Sequence, residues 1–466
     1  MFRTLWRRLV GSTASTGRKA TCRPCVEVLE DRTVPTLLGK QLFPLSNPWN
    51  EKITNAPVAA NSDAFFANLV AEHGDYNVRA DFAQADLSNR PLYGIPYNVV
   101  HGNTTAKIQV IIDDYAAESD IVKAPIPANA VLEGDNQDGP LVGLANRGDS
   151  HLIVWDIDRN IAYEFFGASR PSENADGMWH AKQETVWDMK TNKYRTIGYT
   201  SADAAGLSIL AGLARPDEGI PKLAGGQGVI KHAIRVTLTN DLIRDQFIFP
   251  ASHHANPGNH DPLTQIPMGA RLRLKASVDL SQMPPQSRII AQAMKDYGLI
   301  VADNGANFFI SGASYSVNGK NQFQRTWDDN DIQDDIVGLK SLHYGDFEVV
   351  DLTPQVRALS VRRATAGTAV TISGLNFSGH AGQLFVYFDS VRASSVRYVS
   401  DTQIVVVVPK GILGTVHVRV QSGKSVSSSI DEFLPDGIFG NGISAITPAD
   451  LFTIEPSAGL FGRGGI

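Results

Sequence analysis

The sequence predicts a mainly β protein, with a central β-sandwich of jelly-roll type, a few peripheral helices and a smaller all-strand domain behind it. Three observations predict this class. Residues 106–280 hold a series of short runs rich in Val, Ile, Phe and Tyr, and several of these runs alternate apolar with polar side chains. Gly, Pro, Asn and Asp separate the runs and predict turns. From about residue 355 the strand pattern continues without any helical stretch.

Composition limits what the chain can be. It has 466 residues, of which 43% are hydrophobic and 19% charged, and this is typical of a globular protein with a substantial core. The formal net charge of −6 argues against a nucleic-acid partner. No apolar run approaches the roughly 18 residues that a membrane span needs. Cys22 and Cys25 are the only cysteines, so the body of the protein cannot use a thiol nucleophile or a disulfide.

The first 36 residues are basic, rich in Ser and Thr and aperiodic, and we expect a disordered leader there. They contain no uninterrupted apolar stretch, so an ordinary signal peptide is not predicted. Their last part, VEVLEDRTVPT, resembles the N-terminal motif of exported planctomycete proteins through Leu29, Glu30, Arg32, Pro35 and Thr36. This resemblance implies an extracytoplasmic or cell-surface location.

Three helices are predicted in the large domain. The first covers residues 62–74, where Ser62 can cap the start and Gly74 stops the helix. The second covers residues 284–298, with prolines at its entry and a glycine at its end. The third covers residues 327–342 and begins with acidic side chains, which the positive end of a helix dipole favours.

The rest of this domain, residues 38–353, is predicted to consist of strands and turns. Asp158, Arg159 and Asn160 supply turn chemistry between two apolar runs and predict a β-hairpin. The predicted strands are residues 106–115, 150–158, 160–169, 184–192, 232–239, 245–252, 270–280 and 299–304.

The C-terminal strands have a pattern of their own. Val370 and Ile372 alternate inward on one strand, Gly374 permits the turn that brings Phe377 into the core, and Pro409 ends a later strand. The pattern is carried by Ala366, Gly367, Thr368, Val370, Ile372, Gly374, Asn376, Phe377, Val386, Phe388, Pro409 and Gly414.

This pattern resembles an IPT/TIG domain, which has an immunoglobulin-like fold. The resemblance extends over residues 355–454, with residues 442–454 as the last strand and residues 455–466 as a Gly-rich tail. It implies adhesion or spacing rather than catalysis for this part of the chain.

The candidates for acid–base chemistry are Asp217, Glu218, His232 and Asp303. Asp217 and Glu218 lie in a loop that returns into the strand bearing His232, and a loop carboxylate with a strand histidine could serve glycoside cleavage or a lyase reaction. Asp303 ends a buried strand, where a sheet would hold a carboxylate rigidly. The alternatives are a salt-bridged structural cluster for the first group and an ordinary Asp-Asn-Gly turn for Asp303.

The candidates for substrate binding are Trp179, His180, Trp187, Arg235 and His254. Indole rings beside polar side chains are the mixture on which sugar rings stack, and core packing is the alternative for both tryptophans. Arg235 follows His232 by three positions on the same predicted strand, so the two side chains need not share a site.

One loop, residues 251–262, concentrates possible metal ligands. His253, His260 and Asp261 could bind a divalent ion, but their spacing is not a specific metal motif, and a polar surface loop is the alternative. The chain also lacks a nucleophile elbow, a phosphate-binding loop and a dinucleotide motif. We therefore expect no metal and no cofactor.

Three functions remain open. The first is an exported or surface protein that binds, and in its enzymatic form cleaves, polysaccharide through the central sandwich, with the C-terminal domain as spacer or accessory. The second is a surface or adhesion protein that only binds. The third is a metal-dependent hydrolase built on residues 253–261 of the 251–262 loop.

Overall fold

The computed structural model describes residues 36–80, 82, 94–135, 149–255, 261–313, 327–377, 384–422 and 442–457. The predicted leader up to residue 35, the tail beyond residue 457 and His260 lie outside the described residues. The mainly β class is confirmed, since strands form most of the regular structure. None of the described helices is long and apolar enough to cross a membrane.

Short strands run through the whole central domain. In chain order they are β1 (Thr36–Leu37), β2 (Lys40–Gln41), β3 (Tyr97–Val100), β4 (Ile108–Gln109), β5 (Ile111–Ile112), β6 (Lys123–Ala124), β7 (Leu152–Asp156), β8 (Ile161–Phe166), β9 (His180–Ala181), β10 (Gln183–Asp188), β11 (Ile234–Leu238), β12 (Ile243–Phe247), β13 (Ile266–Met268), β14 (Arg271–Leu274), β15 (Leu299–Asn304), β16 (Phe309–Ile310) and β17 (Phe347–Val349). The α-helices are α1 (Ser62–His73), α2 (Ile209–Gly212), α3 (Pro216–Gly219), α4 (Pro285–Asp296) and α5 (Asp329–Ile332).

Two larger sheets organise these strands. The first has the order β10-β8-β7-β3 and the second the order β16-β11-β15-β14-β17. Most strand pairs in these two sheets are antiparallel, but β3 pairs parallel with β7 and β11 pairs parallel with β15. The principal core takes side chains from both sheets, among them Trp155 and Val236. A second core, which includes Val154, packs on the other face of the first sheet. Because both faces are buried, the two middle strands β7 and β8 consist almost entirely of apolar residues.

The predicted hairpin is present. β7 and β8 pair antiparallel, with Asp156 opposite Ile161. Asn160 closes the turn at a φ of +55°, a left-handed conformation that asparagine tolerates. The Asp156 carboxylate accepts hydrogen bonds from the N–H groups of Asp158 and Arg159 and a further bond of 2.8 Å from Arg159 Nη1, and these bonds stabilise the turn.

Helix α1 occupies the predicted residues, but its start differs in detail. Asn61 precedes the helix and Ser62 is its first residue; the Ser62 hydroxyl accepts a hydrogen bond of 3.0 Å from the N–H of Val349 instead of capping the helix. Gly74 ends α1 at a φ of +82°. Helix α4 lies within the second predicted range.

The third predicted helix is wrong over most of its length, because only α5 is α-helical in residues 327–342. Beyond it, the Asp334 carboxylate accepts hydrogen bonds of 2.8 Å from the N–H groups of Ile336 and Val337. This turn offers the backbone an alternative to helical hydrogen bonds, so the helix does not propagate.

The C-terminal domain is a sandwich of two sheets with the orders β18-β20-β24-β23 and β19-β27-β25-β21-β22, and β26 pairs with β25. Phe377 is fully buried in the core between them, together with the inward residues of β20. Its strands are β18 (Gln355–Leu359), β19 (Arg363–Thr365), β20 (Ala369–Leu375), β21 (Leu384–Phe388), β22 (Val391–Arg392), β23 (Val396–Ser400), β24 (Gln403–Val407), β25 (Gly414–Ser422), β26 (Gly442–Ile443) and β27 (Leu451–Glu455).

Candidate functional site

A cavity of about 310 Å³ opens where strands of the two central sheets end. Phe166, the last residue of β8, and Asn304, the last residue of β15, both line it. Loops supply most of the remaining wall, including the exposed side chain of Asp149 and the polar side chains of Thr200 and Ser201. A cavity of this volume with a polar wall can hold a small ligand such as one sugar unit.

Asp303 reaches this cavity because of a bulge in β15. In the parallel pair of β11 and β15, Val236 lies opposite Val301, but Thr237 lies opposite Asp303, so Ala302 is an extra residue. A bulge of one residue shifts the following side chain to the other face of the strand. Asp303 therefore points to the same face as Arg235, two positions before Thr237.

Arg235 joins two carboxyl groups beneath the cavity. Its Nε and Nη2 donate hydrogen bonds of 2.8 and 2.7 Å to the two carboxylate oxygens of Asp203. The same Nη2 lies 2.7 Å from Oδ2 of Asp303, and Nη1 donates a 2.7 Å hydrogen bond to the Ser311 hydroxyl. Asp203 is completely buried, whereas the side chain of Asp303 keeps 13% of its surface exposed and lines the cavity.

The surroundings of Asp303 favour its neutral form. Burial raises the pKa of this carboxyl group well above its usual value, and the negative charge of Asp203 raises it further, against the opposing effect of Arg235. Asp149 also acts in the raising direction. A carboxyl group that keeps its proton near neutral pH can serve as a general acid.

A second charged pair lies close to the same network. His151 Nδ1 is 2.6 Å from Oε2 of Glu133, and His151 Nε2 is 3.0 Å from the carbonyl oxygen of Ala202. Burial lowers the pKa of His151, but Glu133 outweighs burial and raises that pKa to about 9. Because Glu133 and Ala202 occupy its two ring nitrogens, His151 has no nitrogen left to offer a ligand.

His253, which lines the cavity, differs from His254 beside it. The Nδ1 of His253 is 2.8 Å from the carbonyl oxygen of Ala204, which can only accept, so Nδ1 carries the hydrogen. His254 is buried and stacks between His253 and Phe247, with ring centroids 5.7 and 6.2 Å away. Of the two, His253 is therefore the one with access to a ligand.

The other predicted acid–base group forms a separate buried cluster around Arg215. Glu218 accepts hydrogen bonds from Arg215 Nη2 at 2.7 Å and lies 2.8 Å from His232 Nε2. Although burial acts in the opposite direction, Arg215 and His232 hold the pKa of Glu218 below its usual value. Burial raises the pKa of Asp217 in the same cluster to about 6. Arg215, Glu218 and His232 are each at most 3% exposed, so a substrate cannot reach them.

The aromatic candidates lie in the protein interior. Trp179 packs in the core of the first sheet, and Trp187 packs edge-on against Phe43 with ring centroids 6.1 Å apart. Neither indole offers the exposed face that a sugar ring needs for stacking. Two other rings, those of Tyr115 and Phe166, line the cavity, and Tyr115 is 46% exposed.

His180 lies at the surface between two carboxylates. Its Nδ1 is 3.0 Å from Oδ1 of Asp113, and its Nε2 is 3.0 Å from Oδ2 of Asp176. Hydrogen bonds to Asp176 and Asp113 raise the pKa of His180. This arrangement joins two loops and does not bring His180 to the cavity wall among the described lining residues.

Within the described parts of the chain, no three His, Cys, Asp or Glu side chains form a group that could hold a metal ion. Asp261 instead fixes its own turn, since its carboxylate accepts hydrogen bonds from the N–H of Leu263 and the hydroxyl of Thr264. The third proposed ligand, His260, lies outside the described residues.

Sequence reasoning named Arg235 and Asp303 but did not place them in one site, and it missed Asp203, Asp149 and Arg215. Asp203 follows Ser and Ala and precedes a run of small residues, and a charged side chain in such a loop is a signal for a buried ion pair. Asp149 lies in a Gly- and Asp-rich stretch, and this composition predicts an ordinary turn.

Residues 354–433 match the family model of the IPT/TIG domain. The C-terminal module is an IPT/TIG domain. Its two-sheet sandwich, the buried Phe377 and the inward alternation of Val370 and Ile372 agree with this assignment. The central domain matches no family model in this comparison, and no curated protein gives a match to the chain.

Several solved structures are similar to a part of this chain that makes up less than a quarter of its length. Gamma-CGTase from Alkalophilic bacillus clarkii is 22% identical over 24% of this chain and 14% of its own, with a TM-score of 0.16. Auxiliary nutrient binding proteins from Bacteroides thetaiotaomicron and Bacteroides ovatus are 15% and 19% identical, with TM-scores of 0.16 and 0.14. The matched parts make up 22% and 19% of this chain, respectively, and 21% of the length of each nutrient binding protein.

Proposed function

We propose that this is an extracytoplasmic or cell-surface protein whose central domain, residues 38–353, binds polysaccharide, with one sugar unit in the cavity beside Asp303, and hydrolyses it. The observation that carries this proposal is the carboxyl group of Asp303, which faces a cavity of about 310 Å³ and whose burial and neighbouring carboxyl groups favour its protonated form against the opposing effect of Arg235. The leader motif supports the location, and the IPT/TIG domain supports a role as spacer or accessory.

The proposed chemistry uses two carboxyl groups on one cavity wall. Asp303 donates its proton to the glycosidic oxygen, and the bond from that oxygen to the anomeric carbon breaks. Asp149 accepts a proton from water while the water oxygen bonds to the anomeric carbon. One molecule of water is thus divided between the two sugar products, and the two carboxyl groups exchange their protonation states.

The same wall offers groups suited to a sugar. The imidazole of His253 and the exposed amide of Asn304 can form hydrogen bonds with sugar hydroxyls, whereas the hydroxyls of Thr200 and Ser201 already donate to backbone carbonyls. The rings of Tyr115 and Phe166 supply apolar surface for the face of a sugar ring. This mixture of a few polar groups with aromatic surface is typical of small-molecule sites.

The test is a polysaccharide array scored both for binding and for release of reducing ends. We expect wild-type protein to bind and to release sugar, and Asp303→Asn and Asp149→Asn each to reduce release by about 100-fold or more while binding persists. Asp279→Asn, which changes an exposed carboxylate in a surface turn, is the control and should leave both signals unchanged. Release that survives both cavity substitutions would show that the acid–base pair lies elsewhere.

The second candidate is a surface or adhesion protein that only binds. The IPT/TIG domain favours it, because such a module needs no catalytic partner. Binding on the array without any released reducing ends, in wild type and in all variants alike, would establish this function instead.

A further inference from the structure

Asp203 and Asp303 approach one nitrogen atom of one arginine. Oδ1 of Asp203 and Oδ2 of Asp303 are each 2.7 Å from Arg235 Nη2. Asp203 has a second bond from Nε of the same guanidinium, at 2.8 Å, so it is the bidentate partner. Asp303 has a single contact with Arg235; it also accepts a hydrogen bond of 2.9 Å from the N–H of Asn304 and forms a side-chain hydrogen bond with Asp203.

Charge balance does not allow both carboxyl groups to be ionised. Asp203 and Arg235 are at most 4% exposed, and together they carry no net charge. A second negative charge on Asp303 would lie beside Asp203, and among the described residues the nearby His151 is already paired with Glu133 and supplies no further positive charge. Asp149 on the cavity wall adds to this repulsion.

We propose that Asp203 and Asp303 hold one proton between them, with Asp203 as the ionised partner of Arg235 and Asp303 as the member that presents the proton to the cavity. Asp203 and Arg235 are then positioning residues, since neither lines the cavity. The use of this proton in glycoside cleavage rests on the proposed function, whereas the shared proton itself does not.

The first experiment compares the thermal stability of Asp303→Asn and Asp203→Asn in the full chain at pH 7. Asparagine resembles a protonated aspartic acid, so Asp303→Asn should melt within about 2 °C of wild type. Asp203→Asn leaves Arg235 without its bidentate partner and should melt about 10 °C lower. Equal losses in the two variants, or a larger loss in Asp303→Asn, would overturn the proposal.

The second experiment is a pH titration from pH 3 to pH 9, in which ¹³C NMR detects the side-chain carboxyl carbons of ¹³C-aspartate-labelled protein. Besides the resonance of Asp217, one resonance should titrate well above the usual aspartate range, vanish in Asp303→Asn and move to lower pH in Asp203→Asn. Asp217→Asn is the matched control: it removes the signal expected from Asp217 itself, at about pH 6, and leaves the Asp303 signal in place. If Asp203→Asn does not fold, the wild-type and Asp303→Asn spectra still decide whether Asp303 holds the proton.

The titration needs no substrate, so its outcome is separate from that of the polysaccharide array. If the expected titration is observed but no sugar is released, the shared proton is supported and the proposed hydrolysis is refuted. If sugar is released but Asp303 titrates in the ordinary range, the proposed hydrolysis is supported and the shared proton is refuted.

Discussion

The indole Nε1 of Trp187 donates a hydrogen bond of 3.0 Å to the carboxylate of Glu164 in the interior of the central domain. Glu164 lies on β8 and is completely buried. Its two oxygens also accept hydrogen bonds from the Ser208 hydroxyl and from the N–H groups of Ile209 and Leu210, at 2.7 to 3.0 Å. One carboxylate therefore ties the first sheet to the start of α2, and Trp187 serves this link rather than a sugar ring.

Replacement of Glu164 by Gln should lower the free energy of unfolding by about 2–4 kcal/mol. The amide has one acceptor oxygen, and its NH₂ group would face donors that the carboxylate now satisfies. Chemical denaturation measures the loss, with Glu72→Gln on the exposed face of α1 as the control, expected within about 0.5 kcal/mol of wild type. A loss below about 1 kcal/mol for Glu164→Gln would mean that these four bonds are not maintained in solution.

The pair of His151 and Glu133 predicts a specific dependence of stability on pH. In the folded protein the pKa of His151 is raised to about 9, above the value of about 6.5 expected for an unfolded chain. The folded state therefore binds the proton more tightly, and the stabilisation is complete below about pH 6.5 and disappears as the pH rises through about 9.

Urea unfolding of wild type and His151→Gln at several pH values measures this effect. The stability difference between the two proteins should be largest at pH 6 and small at pH 10. His101→Gln is the control, because the His101 side chain is 71% exposed beside Asp158 and its pair is weakened by solvent. A difference that stays constant from pH 6 to pH 10 would exclude a charged His151.

The sequence allows the strands, the hairpin and the IPT/TIG domain to be predicted, because each depends on local turn chemistry or on a short inward–outward pattern. The site depends on pairing between distant strands. Arg235 and Asp303 share a face only because Ala302 bulges out of register in β15, and no residue in that stretch marks a bulge. Without the bulge, Asp303 would point away from Arg235.

Burial explains why other site predictions did not lead to the cavity. Several predicted site residues have polar or amphipathic side chains of types that are common in binding sites, namely Trp179, Glu218 and His232. Each of these side chains is buried inside the domain and contacts other residues of the protein instead of a ligand. A single sequence gives the residue type and the strand periodicity, and it does not show which side of a sheet another sheet covers. The cavity wall is also made largely of loops, whose course cannot be inferred from periodicity.

In the IPT/TIG domain, replacement of Gly374 by alanine is predicted to lower stability more than replacement of Gly367 by alanine. A Cβ on Gly374 would lie 1.8 Å from the carbonyl oxygen of Gln355, on the paired strand β18, and 2.5 Å from the Phe377 ring. A Cβ on Gly367 meets nothing within 4 Å, although its φ of +88° is unfavourable for alanine. Gly374→Ala therefore adds a steric clash where Gly367→Ala adds only backbone strain.

Thermal unfolding of the two alanine variants in the full chain separates these effects. We expect about 1 kcal/mol lost for Gly367→Ala and about 3 kcal/mol or more for Gly374→Ala. The loss should appear in the transition of the IPT/TIG domain. Equal losses would show that β18 can move away from β20 at low cost.

The charge of the cavity wall predicts which polysaccharides the proposed site accepts. Among the described lining residues there are two carboxyl groups, Asp149 and Asp303, and no Lys or Arg. Arg235 lies beneath the wall and is neutralised by Asp203. An acidic sugar would place its carboxylate beside Asp149 without a compensating cation, and this costs free energy in a partly enclosed site.

Neutral oligosaccharides should therefore bind about tenfold or more tightly than uronic-acid oligosaccharides of the same length at low ionic strength. Asp149→Asn should narrow this preference, because it removes the exposed negative charge, whereas Asp279→Asn should leave it unchanged. Raising the salt concentration from 10 mM to 0.5 M should also narrow it, since salt screens exposed charges over about 10 Å or less. Tighter binding of the acidic series by the wild-type protein would mean that cationic side chains outside the described residues dominate the site.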